Sequence, residues 1–142
     1  MSSYQINLEC TLNDFLFDED RISKIVKLIL AKENINQALV NIVVVGDKLI
    51  TALNKEYLKK NTTTDVISFV LENNSENRSL EGEVYANLEQ IQKQAKDYNV
   101  TWQNELFRVI IHGVLHLVGY NDQTLEDKKQ MTEKENYYLF II

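Results

Sequence analysis

The segment from Thr101 to Val118 constrains this chain most, because Phe107, Val109, Ile110, Ile111, Val114, Leu115, Leu117 and Val118 leave almost no polar side on a helix of that length. A helix apolar nearly all round cannot rest on a surface, so it runs buried through the centre of the fold and the other elements wrap it. Thr101 suits its N-terminal cap, and Gly119 is the residue type that takes the left-handed turn of a C-terminal cap. Inside the apolar run stand His112 and His116, the two histidines of the whole 142-residue chain. Four apart on a helix, they lie on one face, one turn apart, and can aim both imidazoles at one point. Buried imidazoles need polar partners. Asp122, three residues past the glycine stop, can return its carboxylate to the same point as the chain reverses. Two readings of Asp122 stand open: the third ligand of a metal site with His112 and His116, or a turn residue serving the helix that follows.

The rest of the chain reads as a small sheet with helices on it. Ile6 and Leu8 alternate with polar neighbours in a strand from Tyr4 to Cys10, and Ile22, Ile25, Val26, Ile29 and Leu30 form one stripe of a helix over Arg21 to Lys32. The β-branched run Leu39–Val45 is a second strand ended by Gly46, with Asp47 placed to cap a helix carrying Ile50, Leu53, Tyr57 and Leu58. Val66–Phe69 is a short strand, Glu72 to Glu81 a polar loop, and Gly82–Ala86 a fourth strand. Asn87 with Gln90 caps a helix to about Tyr98, and Thr124 with Asp127 opens a last helix bearing Met131, Tyr138, Leu139 and Phe140. The order βαβαββααα predicts an α+β fold: one domain over residues 1–142, a small mixed four-stranded sheet, and the metal site on the buried central helix.

Composition narrows the function. Fifteen Lys and Arg against twenty-one Asp and Glu leave a net charge of −6, which argues against a general nucleic-acid-binding coat while allowing a local basic groove. Cys10 is the single cysteine, so neither a disulfide framework nor a cysteine zinc knuckle forms within one chain. The N-terminal residues lack the pattern of a signal peptide and no apolar run is long enough to span a bilayer, so a cytoplasmic location is the expectation, with no membrane partner.

Two imidazoles and a carboxylate are a typical set for one zinc ion that keeps a fourth position open, where bound water ionises near pH 7, and other divalent transition metals accept such a set. The spacing His-x-x-x-His-x-x-Gly-x-x-Asp is similar to the long zinc-protease motif, in which the third ligand follows a glycine. In that motif the residue after the first histidine is the glutamate base, and here it is Gly113. A peptidase would lack its base. Glycine inside a helix also costs about 1 kcal/mol against alanine, so Gly113 predicts the close approach of a strand or a substrate.

His112-Gly113-Val114-Leu115-His116-Leu117-Val118-Gly119-Tyr120 resembles the signature of the YbeY family of endoribonucleases, the rRNA maturation factors. Further matches are Leu53-Asn54 with Tyr57, Thr64-Asp65-Val66-Ile67-Ser68-Phe69, Gly82-Glu83-Val84, and Met131 with Glu135. The resemblance implies a zinc-dependent enzyme that cuts single-stranded RNA, acting with the small ribosomal subunit in 3′-end maturation of its rRNA and in ribosome quality control. Two positions depart from the family pattern. Asp122 stands where a third histidine is usual, and Leu58 where an arginine usually engages the RNA phosphate. Lys59 and Lys60 follow Leu58 and could offer the cation, or be a solvated helix end; Asp65 and Ser68 could line the substrate groove, or serve only capping and turns. No general base stands out, since Glu126 and Asp127 are accounted for by the first turn of a helix. Besides the endoribonuclease, two alternatives remain: a ribosome-associated RNA-binding protein with a structural metal, and a metalloprotease-like hydrolase.

Overall fold

The structure, a computed structural model, describes residues 2–12, 16–59 and 63–141. Along the chain it runs β1 (Ser3–Cys10), α1 (Glu19–Lys32), β2 (Gln37–Val45), α2 (Asp47–Tyr57), β3 (Val66–Asn74), β4 (Ser79–Asn87), α3 (Leu88–Asp97), α4 (Trp102–Leu117) and α5 (Leu125–Ile141). The element order is the one the sequence predicts, and the fold is a single α+β domain.

The strands form one sheet in the order β1-β2-β4-β3. β1 runs parallel to β2 and β2 parallel to β4, with Ile6 opposite Val40 and Ile42 opposite Val84, while β3 returns antiparallel beside β4. On one face the inward residues Val40, Ile42, Val44, Val84 and Ala86 join the α1 stripe and α4 in the main core. On the other face α2 covers a smaller patch, laying Ile50 and Leu53 on Val43, Val45 and Ile67. That second cover explains why β2 alternates at its start and is buried on both faces at its end.

α4 is the central helix. It packs against α1, α3, α5, β3 and β4, and Ile110, Ile111, Val114 and Leu115 are fully buried. Its approach to the sheet depends on Gly113: a Cβ there would meet Val84 Cγ1 at 2.6 Å, with Ser68 Oγ and Val66 Cγ2 each at 3.1 Å. The expectation of a close strand is met, and any larger residue after His112 would push α4 off β3 and β4.

Two local readings are corrected. Glu72 to Glu81 is not a loop: β3 continues to Asn74 and β4 begins at Ser79, with Asn73 opposite Leu80 and Asn74 opposite Ser79 after an irregularity between Val70 and Glu72. These polar side chains sit at the exposed outer end of an edge strand, where backbone pairing with β4 outweighs poor strand propensity. Asp47 is not the cap of α2; Gly46 holds that place without a side-chain bond. The Asp47 carboxylate instead accepts from Asn87 Nδ2 (2.6 Å) and Thr63 Oγ1 (3.0 Å), tying the start of α2 to the end of β4.

Candidate metal centre

α4 ends where the glycine predicts. Gly119 has φ +111°, and the amides of Gly119 and Tyr120 donate to the carbonyls of His116 and Leu115 (3.1 and 3.0 Å). This double closure satisfies the last helical carbonyls and turns the chain back over the histidine face. α5 is capped independently: Thr124 N–H donates to Asp127 Oδ2 and Asp127 N–H to Thr124 Oγ1. Asp122 is therefore not needed for that cap.

It points at the histidines. His112 Nε2 and His116 Nε2 are 3.0 Å apart, and Asp122 Oδ2 lies 3.4 Å from the first and 3.6 Å from the second. Donor atoms in a tetrahedron of bonds near 2.05 Å stand about 3.3 Å apart, so the observed triangle has the size of one face of a zinc site. The three residues form a group that could hold a metal ion.

The far sides of the rings determine what this triangle carries. His116 Nδ1 is 2.9 Å from the Tyr120 carbonyl, which only accepts, so Nδ1 holds the proton and donates. His112 Nδ1 is 2.7 Å from Glu135 Oε2 and donates to it likewise. Each neutral ring then turns a bare Nε2 lone pair inward, and the Asp122 carboxylate adds a third acceptor. Three acceptors with no donor between them require a cation, either a proton on one ring or a metal ion. Burial disfavours the charged form of His112, but the hydrogen bond and charge of Glu135, with the charges of Asp122 and Asp65, outweigh it and hold its pKa above the ordinary imidazole range.

Glu135 and the Tyr120 carbonyl thus orient the two rings, and neither role was read from the sequence. Glu135 is 8% exposed, and its other oxygen accepts from Arg108 Nη1 at 3.2 Å, while Arg108 Nη2 donates to Asn136 Oδ1 at 3.0 Å. The pattern did contain a sign of it. Met131, Glu135 and Tyr138 share the buried stripe of α5, and an acid on such a stripe implies a buried partner.

The histidine pair opens into a cleft of about 710 Å³ lined by Leu58, Thr63, Thr64, Asp65, Ser68, Asn121, Asp122 and Gln123 among others. Asp65 and Ser68 are brought to the site. The Ser68 hydroxyl donates to the Gly113 carbonyl at 2.8 Å, fastening α4 to β3. Asp65 Oδ2 accepts from Gln94 Nε2 (3.2 Å), which also donates to Glu105 Oε2 (2.9 Å). Burial pushes the Glu105 carboxyl up, against the opposing effects of Gln94 and Arg108. Lys59 is exposed, has φ +58°, and is not among the residues lining the cleft; Lys60 lies outside the described residues. Among the described residues, no lysine or arginine lines the cleft. No helix among them is long and apolar enough to cross a membrane.

Comparison with known proteins identifies the family. The family model described as Endoribonuclease YbeY matches residues 7–141. The endoribonuclease YbeY of Chloroherpeton thalassium is 42% identical over 121 residues, spanning 85% of this chain and 84% of its own length. That of Karelsulcia muelleri is 36% identical over 127 residues, 89% and 88% of the two chains. A solution structure of a Thermotoga maritima protein superposes with a TM-score of 0.66 at 27% identity, covering 95% of this chain and 87% of the other. With the family model spanning nearly all of the sequence and the histidine pair seated on the matched central helix, the chain belongs to the endoribonuclease YbeY family.

Proposed function

We propose that this chain is a zinc-dependent endoribonuclease cutting single-stranded RNA, with one ion held by His112 Nε2, His116 Nε2 and Asp122 Oδ2. The observation that carries the reading is the convergence of three acceptors, 3.0 to 3.6 Å apart, at the wall of a polar cleft. Zinc in that place supplies Lewis acidity toward a phosphodiester oxygen and a water acidic enough to ionise near neutral pH. The chain's own residues do the remaining work. Glu135 and the Tyr120 carbonyl hold the Nδ1 protons and so keep both Nε2 lone pairs aimed inward. Asn121, Gln123, Thr63 and Thr64 give the cleft amide and hydroxyl groups for ribose, base and phosphate oxygens. Asp65 repels phosphate, so it suits a ribose hydroxyl or a base amino group, and Lys59 and Lys60 would meet phosphate at the rim as point charges. The family resemblance extends the proposal to maturation of the small-subunit rRNA 3′ end, ribosome quality control and contact with the small ribosomal subunit.

A peptidase is disfavoured by packing as well as by sequence, because a glutamate at position 113 has no room against Val84. The observation favouring a second reading, a ribosome-associated RNA-binding protein with a structural ion, is a cleft lined by Leu58 and, among the described residues, by no lysine or arginine. One experiment separates the two. Purified protein is stripped with chelator, reloaded with zinc and assayed on single-stranded RNA. Cleavage that vanishes on stripping, returns with zinc and is absent in His116→Ala is the expected result; cleavage that persists in metal-free protein contradicts the proposal. RNA binding without cleavage at any zinc level selects the second reading.

A further inference from the structure

Glu33 sits in a poor place for a carboxylate. It is the C-cap of α1, at the negative end of the helix dipole, and its side chain is 13% exposed. Nothing in α1 calls for an acid there, since Asn34 and Ile35 already close the helix by donating to the carbonyls of Ala31 and Leu30 (3.2 and 2.9 Å). Its compensation comes from far along the chain. Tyr120 hydroxyl donates to Glu33 Oε1 at 2.6 Å, while Tyr138 hydroxyl and Lys134 Nζ donate to Oε2 at 2.6 and 3.2 Å. Burial alone would raise the carboxyl, but these three bonds outweigh it and hold it below the usual range.

One of the three donors belongs to the metal loop. Tyr120 lies between the Gly119 turn and Asp122; its amide closes α4 and its carbonyl takes the His116 Nδ1 proton. Its ring is also faced by Lys134 Nζ, 5.5 Å from the centroid. The backbone of this short loop thus does two jobs, orienting one imidazole and carrying the third acceptor, and the Tyr120 side chain ties it to the body of the protein by packing on the main core and by its hydroxyl bond to Glu33.

We infer that Glu33 is a positioning residue for the metal centre: through Tyr120 it holds the loop that orients His116 and delivers Asp122. This rests on the metal reading of the His112–His116–Asp122 group. The two oxygens of Glu33 separate the roles, with Oε1 serving the loop and Oε2 serving α5.

Zinc affinity of the full-length protein, measured in competition with a chromophoric chelator, tests the assignment alongside thermal stability. Tyr120→Phe keeps the ring and removes the hydroxyl's bond to Oε1 together with its interaction with Lys134; it is expected to weaken zinc binding about tenfold, within the range for outer-shell partners. Glu33→Gln, which also weakens the bonds at Oε2, is expected to do at least as much, and Glu33→Gln with Tyr120→Phe little more than the stronger single variant, because the two share the Tyr120–Glu33 bond. Tyr138→Phe, which removes the bond to Oε2, is expected to lower the melting temperature while leaving zinc affinity within twofold of the parent. Zinc affinity of Tyr120→Phe within twofold of the parent overturns the assignment, as does an equal loss in Tyr138→Phe, which would mark a general loosening. Should Glu33→Gln fail to fold, the two tyrosine variants decide alone. If the unaltered protein binds no zinc, the metal reading itself has failed, an outcome distinct from parent binding that the variants do not change.

Discussion

The two sides of the histidine pair are built differently. On the inner side every polar atom has a partner: Glu135 and Tyr120 hold the rings, Arg108 holds Glu135, and Ser68 fastens the helix at Gly113. On the outer side the described residues give the cleft amides, hydroxyls, carboxylates and the Leu58 side chain, and Lys59 is not among its lining residues. The described residues thus fix the ion-facing atoms closely and place no lysine or arginine in the lining of the cleft. Holding an ion demands lone pairs fixed to fractions of an ångström, whereas phosphate needs only positive charge nearby, which the ion itself can supply.

The largest effect comes from the inner side. His112→Ala or His116→Ala leaves two acceptors at the wall of an open cleft; each is expected to abolish measurable zinc binding and RNA cleavage together, whereas Lys59→Ala changes RNA affinity only a few-fold. Equal losses from the lysine and histidine variants, in parallel assays of metal content and cleavage, would erase the contrast. Next is Glu135→Gln, which keeps the shape but weakens the hold on the His112 Nδ1 proton. A drop of about 10–100-fold in zinc affinity, read by chelator competition, is expected. An unchanged affinity would show that Glu135 serves Arg108 alone.

On the outer side, Leu58→Arg places a cation in the cleft lining. RNA binding is expected to tighten by about 1 kcal/mol and to become more salt-sensitive by roughly one phosphate contact. Binding curves at several salt concentrations with a flat response would place the RNA elsewhere. The smallest effect is one of pH. Because the His112 pKa is raised, the ion-free fold has its contribution in full below the ordinary value of about 6.5 and loses it as pH rises through the higher folded value. The ion requires the deprotonated ring, so zinc affinity changes in the opposite sense and falls as pH drops. The stabilisation of the melting temperature by zinc is therefore expected to grow with pH across that range. A constant increment would take His112 out of the ligand set.

How much of the fold and site is legible in the sequence follows from the same physics. The central helix was legible because its residues are apolar on nearly every side, and the Thr101, Asn87 and Thr124 caps because local geometry dictates them. The hairpin end beyond Val70 was not, because its polar side chains report exposure at a sheet edge while its backbone is held by β4. Asp47 misled for a related reason: a carboxylate beside a helix start is a good cap unless a better donor stands across the fold, as Asn87 does. At the site, helical spacing and a glycine were enough to gather His112, His116 and Asp122. Glu135 and Glu33 act across 23 and 87 positions of the chain, onto His112 and Tyr120, and local spacing cannot show that.

The central claim is that three side chains hold one ion. Titration of the metal-stripped protein with zinc, followed calorimetrically, tests it most directly. The account predicts one site per chain, weakened in Asp122→Ala and absent in His116→Ala; no binding by the unaltered chain, or the same single site in His116→Ala, would contradict it.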